Sequence, residues 1–295
     1  MKEFKNYHPV VNFAYFVAVI GLGMFLMHPV CLIISLISSF VCLTLARGGH
    51  AAWRAATGIL PVVIVGAFLN SMFNHQGVTI LAYLPDGNPV TLEAVLYGIE
   101  ASLMLGTVIC LFSCYNFVMT DDKFMYLFGK IMPSMALVIS MTLGFVPKFK
   151  KRFAEVVKAQ KGLGINIGKG GFLHRTRCAV KIMSVMTSWM LESSVETAIS
   201  MKCRGYGLKN RTSFSLYTFT KRDFRMLCFL LGATGYVVFG CYRNALYFSY
   251  FPVMISSGFT CFSTSVFAVY FLLCMMPCYV ELKEWIMWRA MKSTI

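Results

Sequence analysis

Acidic residues are scarce in this 295-residue chain: 12 Asp and Glu stand against 27 Lys and Arg, and charged residues of both signs make up 13% of the total. That is about half the charge an ordinary soluble domain carries, so a purely soluble surface is excluded. No G-x-x-x-x-G-K-[ST] run occurs, so the chain has no phosphate-cradling loop of that kind for a nucleotide. None of the 11 cysteines forms a C-x-x-C pair, and most lie inside apolar stretches. A zinc ribbon or a disulfide framework is therefore disfavoured, and the cysteines are read as small apolar packing residues. The five histidines, His8, His28, His50, His75 and His174, lie at the edges of apolar runs or in loops, with no Cys or carboxylate at ligand spacing. That removes the usual ingredients of an intramembrane metalloenzyme or nucleophilic enzyme.

What the chain has instead is apolar surface: 58% of its residues are hydrophobic, more than one soluble core could bury. Near-uniform apolar runs extend over Val10 to Met27, Pro29 to Leu45, Ile59 to Phe73, Leu92 to Met119, Phe224 to Cys241 and Phe251 to Pro277. Most reach the ~17 to 25 residues a spanning helix needs. The expected fold is all-α, a polytopic membrane bundle of about six spanning helices, with Pro61 in the first turn of the third. The first run follows Lys2 and Lys5 but precedes no small-residue cleavage site, so it reads as a retained helix.

The net charge of +15 is concentrated: 17 of the 27 Lys and Arg lie between Lys148 and Arg225, against four acidic residues, Glu155, Glu192, Glu196 and Asp223. Because cytoplasmic loops collect Lys and Arg, this block, both termini, Arg47 and Arg54 are expected inside, and the Asn70 to Thr91 loop, which has neither residue, outside. Ile131 to Val146 would invert that rule if it crossed. It is expected to lie against the membrane without spanning, broken by Pro133 and Pro147. The same holds for the short apolar run Ala179 to Leu191. The organisation expected is residues 1–130 as N-terminal membrane helices, 131–222 as an inserted cytoplasmic domain of amphipathic coupling helices, and 223–295 as C-terminal membrane helices.

Within the cytoplasmic domain, Phe149, Phe153, Val156 and Val157 recur at helical spacing, and that helix ends in Lys161-Gly162-Leu163-Gly164. A second helix, from about Cys178, carries Val180, Met183, Met186, Trp189 and Met190 and ends in Lys202-Cys203-Arg204-Gly205-Tyr206-Gly207. Taken singly, each end is an ordinary glycine stop with a basic last turn that complements the helix dipole. Their repetition in one membrane-tethered domain suggests paired docking knobs. The apolar positions Phe153, Val156, Val157, Met183, Met186 and Met190 are expected to form an adaptable binding face.

The string Glu196-Thr197-Ala198-Ile199-Ser200-Met201-Lys202-Cys203-Arg204-Gly205-Tyr206-Gly207 resembles the second coupling motif of the transmembrane T component of energy-coupling factor transporters, the EcfT/CbiQ family. Ala159-Gln160-Lys161-Gly162-Leu163-Gly164 is similar to the first, with Leu163 where the family has Arg. His8-Pro9 and Phe145-Val146-Pro147-Lys148-Phe149 extend the likeness. The resemblance implies a non-catalytic scaffold in the cell membrane. It would join two cytoplasmic ABC-type ATPases, which bind ATP and Mg, to a substrate-binding S component that imports vitamins or metal ions. Ala159 to Gly164 and Lys202 to Gly207 would hold the ATPases, the apolar face would hold the S component, and this chain would itself bind no cofactor.

The main alternative is a stand-alone, proton-coupled secondary transporter using Glu93 or Glu100 in the fourth apolar run. Nucleic acid is not an expected partner, since Lys169 to Lys181 lacks interleaved aromatics. Anionic lipid headgroups suit Arg175, Arg177 and Lys181 better.

Overall fold

The computed structural model describes residues 1–83, 88–129, 132–164, 171–208, 217–256, 258 and 260–292. In chain order the elements are α1 (Lys2–Lys5), α2 (Pro9–Phe25), α3 (Pro29–Arg47), α4 (Gly49–Phe73), the hairpin β1 (Ile80–Tyr83) and β2 (Pro89–Thr91), α5 (Leu92–Val118), α6 (Asp121–Gly129), α7 (Pro133–Gly162), α8 (Phe172–Cys203), α9 (Lys221–Tyr242), a second hairpin β3 (Phe248–Ser249) and β4 (Ile255–Ser256), α10 (Cys261–Cys274) and α11 (Met276–Lys292). They form two compact units, Met1–Phe124 with Tyr217–Ile295, and Met125–Leu216. The chain is an all-α polytopic membrane bundle.

Local chemistry sets the helix starts. His8-Pro9 and His28-Pro29 are two copies of one device: each His ring nitrogen accepts from the backbone N–H two residues on, at 3.3 and 3.2 Å, and the proline at the first helical position has no N–H to leave unpaired. Thr220 and Asp223 close a reciprocal capping box at the start of α9.

Among the described residues, α3, α4, α5 and α9 are long and apolar enough to cross a membrane, and α10 with α11 adds a fifth span if the pair, bent by 57°, counts as one. Helix α2 is apolar but has 17 residues, about 26 Å at 1.5 Å per residue against a ~30 Å hydrocarbon core. With α2 at the lower end of the ~17 to 25 residues that can span, the count meets the expected six, with an even number of crossings before the second unit. The last expected run, Phe251 to Pro277, is interrupted: its first part belongs to the β3–β4 connection, and the helix begins at Cys261. Pro61 lies well inside α4 rather than in its first turn, because that helix begins at Gly49.

In the first unit, α3, α4 and α5 pack together, α10 packs on α3 and α9, and α2 lies against α5 and α9. The α4–α5 seam is close because it is built from small residues: a Cβ on Gly98 would come within 2.9 Å of the Ala67 Cα. Where α10 stops, the Cys274 carbonyl accepts from the Tyr15 hydroxyl at 2.9 Å and from the Ser38 hydroxyl at 2.7 Å. Pro277, just past the break, has no N–H for the Leu273 carbonyl four residues back, and the helix ends there. Side chains from α2 and α3 therefore satisfy the Cys274 carbonyl, which hydrocarbon would leave bare.

The second unit departs most from expectation. Helix α7 runs unbroken for 30 residues through Pro147, and α8 runs for 32 residues from Phe172 rather than from Cys178. One proline removes a single backbone donor, a loss the hydrogen bonds of a long helix on both sides absorb. The expected break at Val146 therefore does not occur. Ile131, where that run was expected to start, lies outside the described residues.

Because two hydroxyls serve the Cys274 carbonyl, Tyr15→Phe or Ser38→Ala alone should cost about 1 kcal/mol or less, while the double substitution should cost roughly 1–3 kcal/mol, more than the sum. Thermal unfolding in detergent of the four members of the cycle measures this.

Candidate docking site at two helix ends

Helices α7 and α8 pack on each other through Val156, Ile182 and Met186, all buried, with Phe149, Val157 and Trp189 around them. Arg152 lies over the Trp189 ring at 5.7 Å and pairs with Glu155 at 3.1 Å. The brace corrects the expected binding face. Val156 and Met186 hold the two helices together, Val157 is half-buried, and Phe153, Met183 and Met190 are exposed. Ile182, one turn before Met186, joins it in the brace, while Met183 lies about 60–100° round the helix from these two, and Met190, one turn beyond Met186, lies past the residues that pack on α7.

Both helices end in the same way. Helix α8 closes with a Schellman motif: the Gly205 N–H bonds the Lys202 carbonyl at 2.9 Å, the Tyr206 N–H bonds the Met201 carbonyl at 3.0 Å, and Gly205 has φ +77°. Arg204 is the C-cap residue. At the end of α7, Leu163 is the C-cap, the Gly164 N–H bonds the Lys161 carbonyl at 3.1 Å, and Gly164 has φ +82°. Leu163 and Arg204 thus occupy equivalent positions, as do Lys161 and Lys202, and Gly164 and Gly205.

The equivalence is in backbone; the side chains differ. Leu163 is 75% exposed and apolar. Lys202, Cys203, Arg204, Tyr206 and Gly207 are exposed, and Gly205 is half-buried at a φ of +77° that a side chain would strain. On α7, Ala159, Lys161, Gly162 and Gly164 are exposed, but Gln160 is half-buried and its side-chain oxygen is shielded without a hydrogen-bond partner among the described residues. Only the backbone geometry could have flagged that oxygen, because glutamine before a helix end is otherwise unremarkable in sequence.

The carboxylates of the rival reading have structural neighbours. Glu93 accepts from the Thr79 N–H at 3.2 Å and so ties the β1–β2 hairpin to the start of α5. Glu100, 8% exposed, is bonded by the Tyr250 hydroxyl from the β3–β4 connection, whose Tyr250 and Phe251 rings also pack on Tyr97. One Glu100 oxygen has no partner among the described residues. His174 and Cys178 do meet, at 3.5 Å on one turn of α8, contrary to the expectation that no His has a Cys at ligand spacing. Among the described residues no third ligand joins them in a metal-holding group.

No protein-family model matches the chain. It is 29% identical over 101 residues to the energy-coupling factor transporter transmembrane protein EcfT of Lactobacillus helveticus, covering 34% of this chain and 36% of that protein. With the same-named protein of Brevibacillus brevis the identity is 28% over 142 residues, 44% of this chain and 54% of that one. With that of Bacillus selenitireducens it is 22% over 219 residues, 70% and 81%. The chain spans between about a third and a half of the length of the first relatives it matches. It resembles the transmembrane component of energy-coupling factor transporters, as its two helix ends suggest.

The brace separates two methionines three residues apart. Met186→Ala should destabilise the α7–α8 pair by about 2–4 kcal/mol, whereas Met183→Ala, at an exposed position, should change stability by less than about 0.5 kcal/mol. Limited proteolysis of the second unit under rising temperature distinguishes them.

Proposed function

We propose that this chain is the T component of an energy-coupling factor importer. It couples ATP hydrolysis by two cytoplasmic ABC-type ATPases to uptake of a vitamin or metal ion bound by an S component. The observation that carries the reading is the pair of equivalent helix ends, each presenting an exposed C-cap side chain just before a positive-φ glycine on adjacent helices of one unit. The similarity to EcfT proteins, one of which matches over 70% of this chain, points the same way.

In this reading ATP and Mg belong to the partner ATPases, and nothing in this chain cycles chemically. Residues 131–222 and both termini face the cytoplasm, and the lipid bilayer surrounds the first unit. Arg204 pairs bidentately with carboxylates in a groove of one ATPase, and the guanidinium fork gives that contact direction as well as strength. The Ala159 to Gly164 end holds the other ATPase by shape and by burying Leu163. The S component rests on Phe153, Met183 and Met190, the members of the expected face that remain exposed. Both tips lie at helix C-termini, where bare carbonyls favour cations, so Lys161 and Lys202 stabilise their own helices as well.

Arg204→Glu should release one ATPase and abolish uptake while leaving expression and membrane insertion unchanged. Losing one partner of a buried interface ion pair costs ~2–5 kcal/mol, roughly 30-fold to several thousand-fold in affinity. Leu163→Ala should weaken the complex by about 1–2 kcal/mol, and Leu163→Arg should be tolerated. Pull-down of each ATPase, with uptake in cells, is the measurement. Retention of both ATPases with full uptake by Arg204→Glu would reduce Arg204 to a helix cap. Proton-driven uptake by the lone chain in liposomes, lost in Glu100→Gln, would transfer the function to the secondary-transporter reading.

Topology has its own check: single cysteines placed at Lys158 and Lys202, in a background cleared of other cysteines, should react with an impermeant reagent from the cytoplasmic side alone.

A further inference from the structure

In the first unit, a groove of about 1180 Å³ opens between α3, α9, α10 and α11. It is larger than the roughly 300–1,000 Å³ of an ordinary ligand pocket. Its walls are apolar, built from residues such as Met226, Phe229, Leu272 and Leu282, with Trp285 and Trp288 on α11. Tryptophan in a membrane helix favours the level of the lipid headgroups, so these two rings mark where the hydrocarbon ends.

The charged residues lining the groove are all of one sign: Glu3, Glu281 and Glu284. In a chain with 12 acidic residues and a net charge of +15, three carboxylates and no lining Lys or Arg in one apolar groove is a local reversal of charge. Glu281 is already engaged, at 3.2 Å by the Met1 amine and at 3.3 Å by the Glu3 N–H. Glu3 accepts from the Asn6 amide at 3.3 Å, and among the described residues neither Glu3 nor Glu284 has an ion-pair partner. One turn past Trp285, Arg289 stacks on that ring with its guanidinium carbon 4.0 Å from the centroid, placing a cation beside the groove's end.

We propose that this groove holds one phospholipid with a primary-amine headgroup, of the phosphatidylethanolamine class. The acyl chains lie along Met226, Phe229 and Leu272, the ammonium meets Glu284 and Glu3, and Arg289 serves the phosphodiester. An anionic headgroup without an amine would set its charge against the Glu3 and Glu284 carboxylates, Glu281 being paired with the Met1 amine. A neutral apolar occupant would leave Glu3 and Glu284 without a counter-charge at the edge of hydrocarbon. This surface is separate from the two helix ends, and the proposal stands whether or not the transport reading does.

The test is native mass spectrometry of the full chain released from nanodiscs made of equal parts phosphatidylethanolamine and phosphatidylglycerol. One retained phosphatidylethanolamine should exceed retained phosphatidylglycerol by roughly fivefold, the worth of a rim ion pair. The Glu3→Gln/Glu284→Gln double variant should bring that ratio to about one, and Leu272→Trp, which fills the groove, should remove the retained lipid whatever its headgroup. Equal retention of the two lipids by the unaltered chain would mean unselective annular lipid and overturn the proposal. So would a preference that survives the double substitution, or retention that survives Leu272→Trp.

Discussion

The backbone carbonyl of Cys274 is the point through which the membrane unit is tied. Its helix stops there, and lipid offers no water to serve a carbonyl at a helix end. The Tyr15 and Ser38 hydroxyls reach it from α2 and α3, so three helices, α2, α3 and α10, are tied together through one acceptor. The 57° bend that follows directs α11 along the face where Val41, Leu45, Phe229 and Trp288 line the acidic-rimmed groove.

A second set of polar ties fixes the chain's beginning to the same unit. The buried Lys123 ammonium donates to the Lys5 carbonyl and, with the Asn12 amide oriented to satisfy both neighbours, to Asn12 at 2.7 Å. The His8 N–H bonds the buried Asp223 carboxylate at 3.2 Å. Burial beside Lys5 pulls the Lys123 pKa down to about 8. The charged form is therefore disfavoured in the folded state, and that penalty fades as pH rises from about 8 towards the ordinary lysine range. His8-Pro9 serves two purposes: it starts α2 through its ring and anchors α9 through its backbone.

Much of this was legible in residue pattern. Uniform apolar runs gave the bundle, and the glycines after basic residues gave both helix ends, because a left-handed backbone at Gly164 and Gly205 is a local requirement. What escaped was whatever depends on partners distant in sequence. Pro147 reads as a stop, and nothing local says that α7 continues through it. The methionines of α8 read as one face, while the angle at which α7 crosses decides that Ile182 and Met186 go inside and Met183 stays out. The break at Cys274 is likewise invisible without the hydroxyls that make it tolerable.

The position of the brace also bears on why the two tips differ. Val156 lies seven residues before Leu163, about 10 Å along the helix axis, whereas Met186 lies 18 residues before Arg204, about 27 Å. Beyond Trp189 the residues of α8 are mostly exposed, so its far end stands clear of the brace. In the proposed docking, a tip close to the brace would arrive at a partner already positioned, and shape with an apolar contact such as Leu163 would be enough to hold it. A tip on a long lever must be oriented by the contact itself, because orientation not built into the unit has to come from the interface. A planar guanidinium meeting a carboxylate supplies that direction and an aliphatic side chain does not. In the docking proposed above, arginine at position 204 and leucine at position 163 are two answers to one problem, set by how far each tip stands from Val156, Ile182 and Met186.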